Sequence, residues 1–270
     1  MNIQEKGEYI IQRNRILFFI LISFAWSWLY WGVIVLPFGF EDQFLAQIPF
    51  AWGPLIAALV ITKKSNGNLS GWVRGLAKWR LKIRWYLIAL LIPFIDVFII
   101  LGAHGLFGVP FTLSDRPISE YPERFITTLL IAGSLEEFGW RGFAQSELQK
   151  KWTALWSAIC IGLLWAIWHF PVVYFGSASY QPSDFFGMLI ILPLWSIIMA
   201  WLFNSSKGAL IIPMLFHAST NTPNPVRIAD AASETASMTI ELIILGFWIL
   251  LPVCIIMYYG SQHLADSKQD

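Results

Sequence analysis

The sequence predicts an all-α, polytopic integral membrane protein, with about eight transmembrane helices around a central polar cavity. Three observations lead there. Hydrophobic residues make up 57% of the 270 positions and charged residues only 13%, with a mean hydropathy of +0.61. A soluble domain carries about 25% charged residues. The charges that exist are clustered between long apolar stretches, as hydrocarbon surroundings require. A few polar groups nevertheless lie inside those stretches at helical spacing. A net charge of +1 gives no reason to expect nucleic acid as a partner.

About 20 apolar residues cross a bilayer core. On that basis the spans fall at 16–38, 46–62, 85–106, 124–147, 153–175, 184–204, 208–222 and 239–259. The second and seventh are short, and the seventh, "GALIIPMLFHASTNTP", reads as a tilted or partly re-entrant helix. Residues 1–270 form a single membrane domain. The N-terminal "MNIQEKGEYIIQRNR" is polar and mixed, and no small-residue cleavage site follows the first apolar run, so that run reads as a retained helix. Cys160 and Cys254 lie inside apolar runs without metal or disulfide spacing and read as buried thiols.

Loop charges set the orientation. Fifteen Lys and Arg residues, from Lys6 to Lys268 and counting Arg141, fall on the side of the N-terminus, against Arg116, Arg124 and Arg227 on the other. Both termini are therefore expected in the cytoplasm, with the chain in the cell membrane. The asymmetry also favours an even number of spans. In the basic stretch "KKSNGNLSGWVRGLAKWRLKIRW", Trp72, Trp79 and Trp85 interleave with the cations. That suits a helix at the headgroup layer, although a positive-inside loop with no further task is the plainer reading. The fifteen tryptophans mostly read as interfacial belts.

Glu136, Glu137 and Arg141 lie in the fourth span, His169 in the fifth, and His217 and Asn221 in the seventh. Ionisable groups at membrane depth are expensive and mark functional interiors. Glu137 and Arg141 stand four residues apart, share a helix face and can pair. Glu136 is turned by about 100° from Glu137, which frees it to point into a cavity. His217 and Asn221 are also four apart and project together, and Trp165 lies one turn before His169 on the same side.

This set suffices for peptide hydrolysis. A carboxylate in a dry cavity is a competent general base toward water, and an imidazole opposite it can help activate that water or protonate the leaving amine. A second imidazole and an amide can donate to a developing oxyanion. Two His with one or two Glu are also acceptable zinc ligands, although no HExxH is present and the ligands would come from three separate helices. Interhelical hydrogen bonding explains one polar residue in one span more readily than this whole set across three.

The three motifs, in this order, resemble the CAAX prenyl protease and bacteriocin-processing family (CPBP, or Abi) of intramembrane endopeptidases, which carries EExxxR, then FxxxH, then HxxxN or a near variant. They stand here as "EEFGWR" at 136–141, "WAIWH" at 165–169 and "HASTN" at 217–221, with "RGF" and "HFP" beside the first two. The resemblance covers about residues 124–222, which would form the catalytic core; the first three spans and the last carry no motif. Trp165 occupies the aromatic position usually held by Phe and preserves a flat apolar wall.

The resemblance implies Glu136 as general base, His169 as its partner, and His217 and Asn221 as oxyanion donors. Glu137 and Arg141 would be an orienting pair. Family members are named both as metalloproteases and as metal-independent glutamate-type proteases. The leading reading requires no cofactor; zinc on Glu136, His169 and His217 is the alternative. The implied substrate is a peptide or a lipid-modified protein at the membrane. A non-catalytic scaffold binding a partner membrane protein, and a proton-coupled transporter using the carboxylates as a relay, are the competing functions. The absence of an internal repeat weighs against transport. Asp96 is a further intramembrane carboxylate that could line the same cavity, while His104 is expected at the interface and His263 in the polar tail.

Overall fold

The computed structural model describes residues 11–65, 67–176 and 180–265. Lys6 and Lys268 of the charge count, and the first ten residues of the N-terminal segment, lie outside them. Helix α1 (Arg15–Tyr30) runs into a π turn, Trp31–Val35. Then come α2 (Phe44–Ala51), α3 (Gly53–Lys64), α4 (Leu69–Leu76), α5 (Ile83–Leu91) and α6 (Ile95–Phe107). Pro54 at the start of α3 and Pro93 between α5 and α6 explain why each pair is broken but collinear enough to cross as one unit, since proline lacks the N–H a continuous helix needs.

A short strand β1 (Phe111–Leu113) precedes α7 (Glu120–Leu130), α8 (Glu136–Gly139) and α9 (Ser146–Leu148). The chain continues through α10 (Ala154–Trp168), α11 (Phe170–Phe175), α12 (Asp184–Ser205) and α13 (Ile211–Thr220) to strand β2 (Val226–Ile228) and α14 (Glu234–Tyr259). The two strands pair antiparallel, Thr112 opposite Arg227, and form a small clasp that the all-α expectation did not include. Side-chain oxygens of Asn68, Thr153 and Ser233 cap α4, α10 and α14 by accepting backbone N–H groups of the first turn.

Among the described residues six helical segments are long and apolar enough to cross a membrane: 15–35, 44–64, 83–107, 154–175, 184–205 and 234–259. The chain is an integral membrane protein. Two of the eight expected spans depart from this. The seventh is the ten-residue α13. The fourth is broken: after α7 the backbone leaves helical geometry at Ile131 and Ala132, passes through a 3-10 turn, Gly133–Leu135, and resumes as α8 followed by a π turn, Trp140–Gln145. From Ala132 onward the fourth, like α13, is mostly buried in the bundle, so other helices and not lipid shield its irregular backbone.

Close packing is made by small residues. A side chain on Gly162 would collide with Pro193, locking α10 against α12, and one on Gly139 would collide with Pro54, locking α8 against α3. Around these contacts lies an aromatic core in which Phe19 stands 5.4 Å from Trp140 edge-on and 5.3 Å from Phe143 in a stack. Seven of the fifteen tryptophans, Trp31, Trp85, Trp140, Trp165, Trp168, Trp201 and Trp248, are buried and so take no part in a belt. An indole brings a large apolar face and one N–H; those of Trp140, Trp165 and Trp248 find carboxylate partners inside, whereas those of Trp31, Trp168 and Trp201 have none among the described residues. The basic stretch begins in the last residues of α3 and ends in the first of α5, and between them its described residues are helical only over α4. Trp79 lies on the surface, whereas Trp72 donates to the Gly142 carbonyl at 3.1 Å and Trp85 turns inward.

Candidate active site

The break before α8 creates the site. Ser134 donates its hydroxyl to the Met214 carbonyl at 2.8 Å, tying the turn to α13. Gly133 then faces the end of α13 so closely that a methyl there would stand 2.7 Å from His217 Nε2 and 2.9 Å from Asn221 Nδ2. Only a residue without a side chain permits this approach, and it makes the two donors converge.

Glu136 begins α8 and is buried, and its Oε2 accepts two indole N–H groups, from Trp165 at 2.8 Å and Trp140 at 3.3 Å. Oε1 makes no hydrogen bond to the described residues, which leaves it to the cavity that the residue lines. Trp165 is thus a donor as well as an apolar wall. Trp140, four residues after Glu136, was missed by the sequence reading although its spacing matched.

Glu137 points the other way. Its Oε2 is 3.3 Å from Arg141 Nε, as the spacing predicted, close in charge but not aligned as a hydrogen bond. Its Oε1 accepts from His217 Nδ1 at 2.8 Å, a contact no local pattern announces. Arg141 is fully buried, places Nη2 3.1 Å from Met199 Sδ, and centres its guanidinium 5.8 Å from the Trp165 ring. It therefore does not belong with the loop cations that the orientation count included.

His169 caps the end of α10, where Pro171 prevents the helix from continuing unchanged. Its Nδ1 donates to the Trp165 carbonyl at 2.8 Å. A carbonyl only accepts, so in the neutral ring the lone pair sits on Nε2. Asn221 caps α13, its backbone N–H bonded to His217 O at 3.1 Å.

Glu136, Trp165, His169, His217, Asn221 and Gly133 all line one cavity of about 690 Å³. Its wall also draws on segments without motifs: Trp31, Phe50, Asp96 and Trp248. Asp96 accepts from Trp248 Nε1 at 3.3 Å. His104 stays outside, its Nδ1 on the Val109 carbonyl at 3.0 Å, and the His263 carbonyl accepts from Asn204 at 2.7 Å. Zinc would need Glu136, His169 and His217 to converge as ligands. Among the described residues no group of three or more His, Cys, Asp or Glu is arranged to hold a metal ion. Cys160 is half-buried and Cys254 exposed, so the buried-thiol expectation fails for the second, whose helix face points outward.

Fold and site together define a helical membrane protein whose polar interior gathers a carboxylate, two imidazoles and an amide. The family model for the type II CAAX prenyl endopeptidase Rce1-like domain matches residues 119–223. CAAX prenyl protease 2 of Methanococcus maripaludis is 35% identical over 101 residues, 34% of this chain and 36% of that protein. Lysostaphin resistance protein A of Staphylococcus haemolyticus is 27% identical over 197 residues, 69% of this chain and 51% of that protein. The chain thus spans about a third to a half of the length of these curated relatives. Residues 119–223 are an Rce1-like domain of the CPBP family.

Proposed function

We propose that the chain is an intramembrane endopeptidase of the CAAX protease type, hydrolysing a peptide bond in a membrane-associated peptide or protein. The observation that carries this reading is the gathering of Glu136, His169, His217 and Asn221 on one cavity, with Glu136 Oε2 held by two indoles and Oε1 left available. Water between Glu136 Oε1 and His169 Nε2 gives a proton to the carboxylate as its oxygen attacks the scissile carbonyl carbon. The oxyanion accepts from His217 and Asn221. With Nδ1 already donating to Glu137, His217 donates through Nε2 as the imidazolium, whose charge Glu137 balances. Glu136 then passes its proton to the leaving amine as the carbon–nitrogen bond breaks.

Arg141 holds Glu137, and Glu137 holds His217, so the pair positions the ring without touching substrate. No step runs through a metal. The test compares membrane proteomes of cells carrying wild type and Glu136→Gln. An uncleaved precursor should accumulate in the variant. Identical proteomes, with both proteins present at equal levels, would sink the hydrolase reading in favour of a scaffold.

A further inference from the structure

Contacts sort the loops of the bundle into two ends. At one, Leu210 N–H meets the Leu76 carbonyl at 3.1 Å, Arg15 pairs with Glu147 at 2.8 Å, and Ala154 N–H meets the Gln262 carbonyl at 3.0 Å. At the other, β1 pairs with β2, Ser114 N–H meets the Pro225 carbonyl at 2.9 Å, and Arg124 lies 4.0 Å over the Phe44 ring. The cavity reaches only the second end. Its rim comprises Asp42, Gln47, Arg124, Tyr180, Thr222 and Asn224, and among the described residues none of 65–82, 146–153, 206–210 or 260–265 lines it. Toward the first end Glu136 is backed by Trp140, Arg141, Phe143 and Gln145, all buried, so the floor is closed by packing.

The two ends differ sharply in cations. Segments 11–15, 63–84, 147–153 and 204–210 at the closed end carry twelve Lys and Arg, whereas 36–47, 108–124, 180–184 and 221–234 at the open end carry Arg116, Arg124 and Arg227. Loops rich in Lys and Arg are retained on the cytoplasmic side.

We propose that the cavity opens away from the cytoplasm, so that the endopeptidase takes a peptide segment already carried across the membrane. The substrate class rests on the hydrolase reading; the sidedness does not. A lipid-modified tail presented in the cytoplasm would meet the closed floor and not reach Glu136.

The test is cysteine labelling with a membrane-impermeant maleimide, in a background with Cys160→Ser and Cys254→Ser. Thr222→Cys and Gln47→Cys, both on the rim, should label in intact bacterial cells and lose that labelling in inverted vesicles. Lys150→Cys should do the reverse. If the serine background does not accumulate, the same substitutions in the native chain, with the unsubstituted chain as blank, read the same difference. Rim cysteines labelled only after inversion would overturn the proposal and leave the hydrolase reading standing. The expected labelling combined with identical wild-type and Glu136→Gln proteomes would uphold the sidedness and remove the substrate.

Discussion

Residues 124–147 and 239–259 were both expected to cross the bilayer, and they fold in opposite ways. The second lies within α14, an unbroken helix of 26 residues that turns much of its surface outward, with Leu242, Leu250 and Met257 exposed. The first is divided among α7, a 3-10 turn, α8 and a π turn, and Glu136, Glu137, Trp140 and Arg141 are all buried. In α14 the backbone is hydrogen-bonded along one continuous helix except where Pro252 lacks an N–H, so most of its side chains have only to dissolve in lipid. In 124–147 the breaks bring backbone close to neighbouring helices and free side chains for other work. Irregular helix at functional positions recurs for that reason. Apolar composition therefore reports which solvent a segment tolerates, not whether the segment is spent on spanning.

Substitutions can break this contrast, and the largest effect belongs to Glu136→Gln. Its amide oxygen can still accept from Trp165 or Trp140, so the fold should hold while peptide turnover by purified protein falls about 10²–10⁴-fold, the usual range for a lost general base. Asn221→Ala removes one oxyanion donor and should lower kcat by about 10²–10³-fold with little change in KM. Gly133→Ala inserts a methyl where His217 Nε2 and Asn221 Nδ2 converge; a misplacement of about 1 Å should reduce turnover about 10²-fold without loss of helicity.

Glu137→Gln acts on stability as well, because it strands Arg141. Removing one partner of a buried pair destabilises by about 3–5 kcal/mol, read as a lower Tm in detergent. Leu250→Ala on α14 sharpens the comparison from the other side. At 62% exposed it should leave turnover unchanged and stability within about 0.5 kcal/mol. A Leu250→Ala effect on turnover as large as that of Gly133→Ala would erase the distinction between the two regions.

Much of the site was legible because helical spacing is a local property. The pairing of Glu137 with Arg141, the rotation of Glu136 away from it, and the shared face of His217 and Asn221 follow from positions along one strand of sequence. What escaped was non-local or disguised. The Glu137–His217 hydrogen bond joins α8 to α13, and Trp140 drew no separate notice among fifteen tryptophans although it sits one turn from Glu136. Gly133 belongs to none of the three motifs, and its close approach to α13 exists only in the packed fold. Arg141 was counted with the loop cations because charge tallies do not see burial.

By itself the sequence determined the solvent, six of the eight spans expected from it, the cation asymmetry and the residue types available for chemistry. These depend on hydropathy and spacing, which each helix carries independently of its neighbours. The tertiary structure decided where the fourth stretch breaks, which oxygen of Glu136 is left to the cavity, and how Asp96 and Trp248 join the wall. It also decided which end of the bundle is open. Each of these depends on backbones from distant parts of the chain approaching to within a side chain's length, and that approach exists only once the helices have packed.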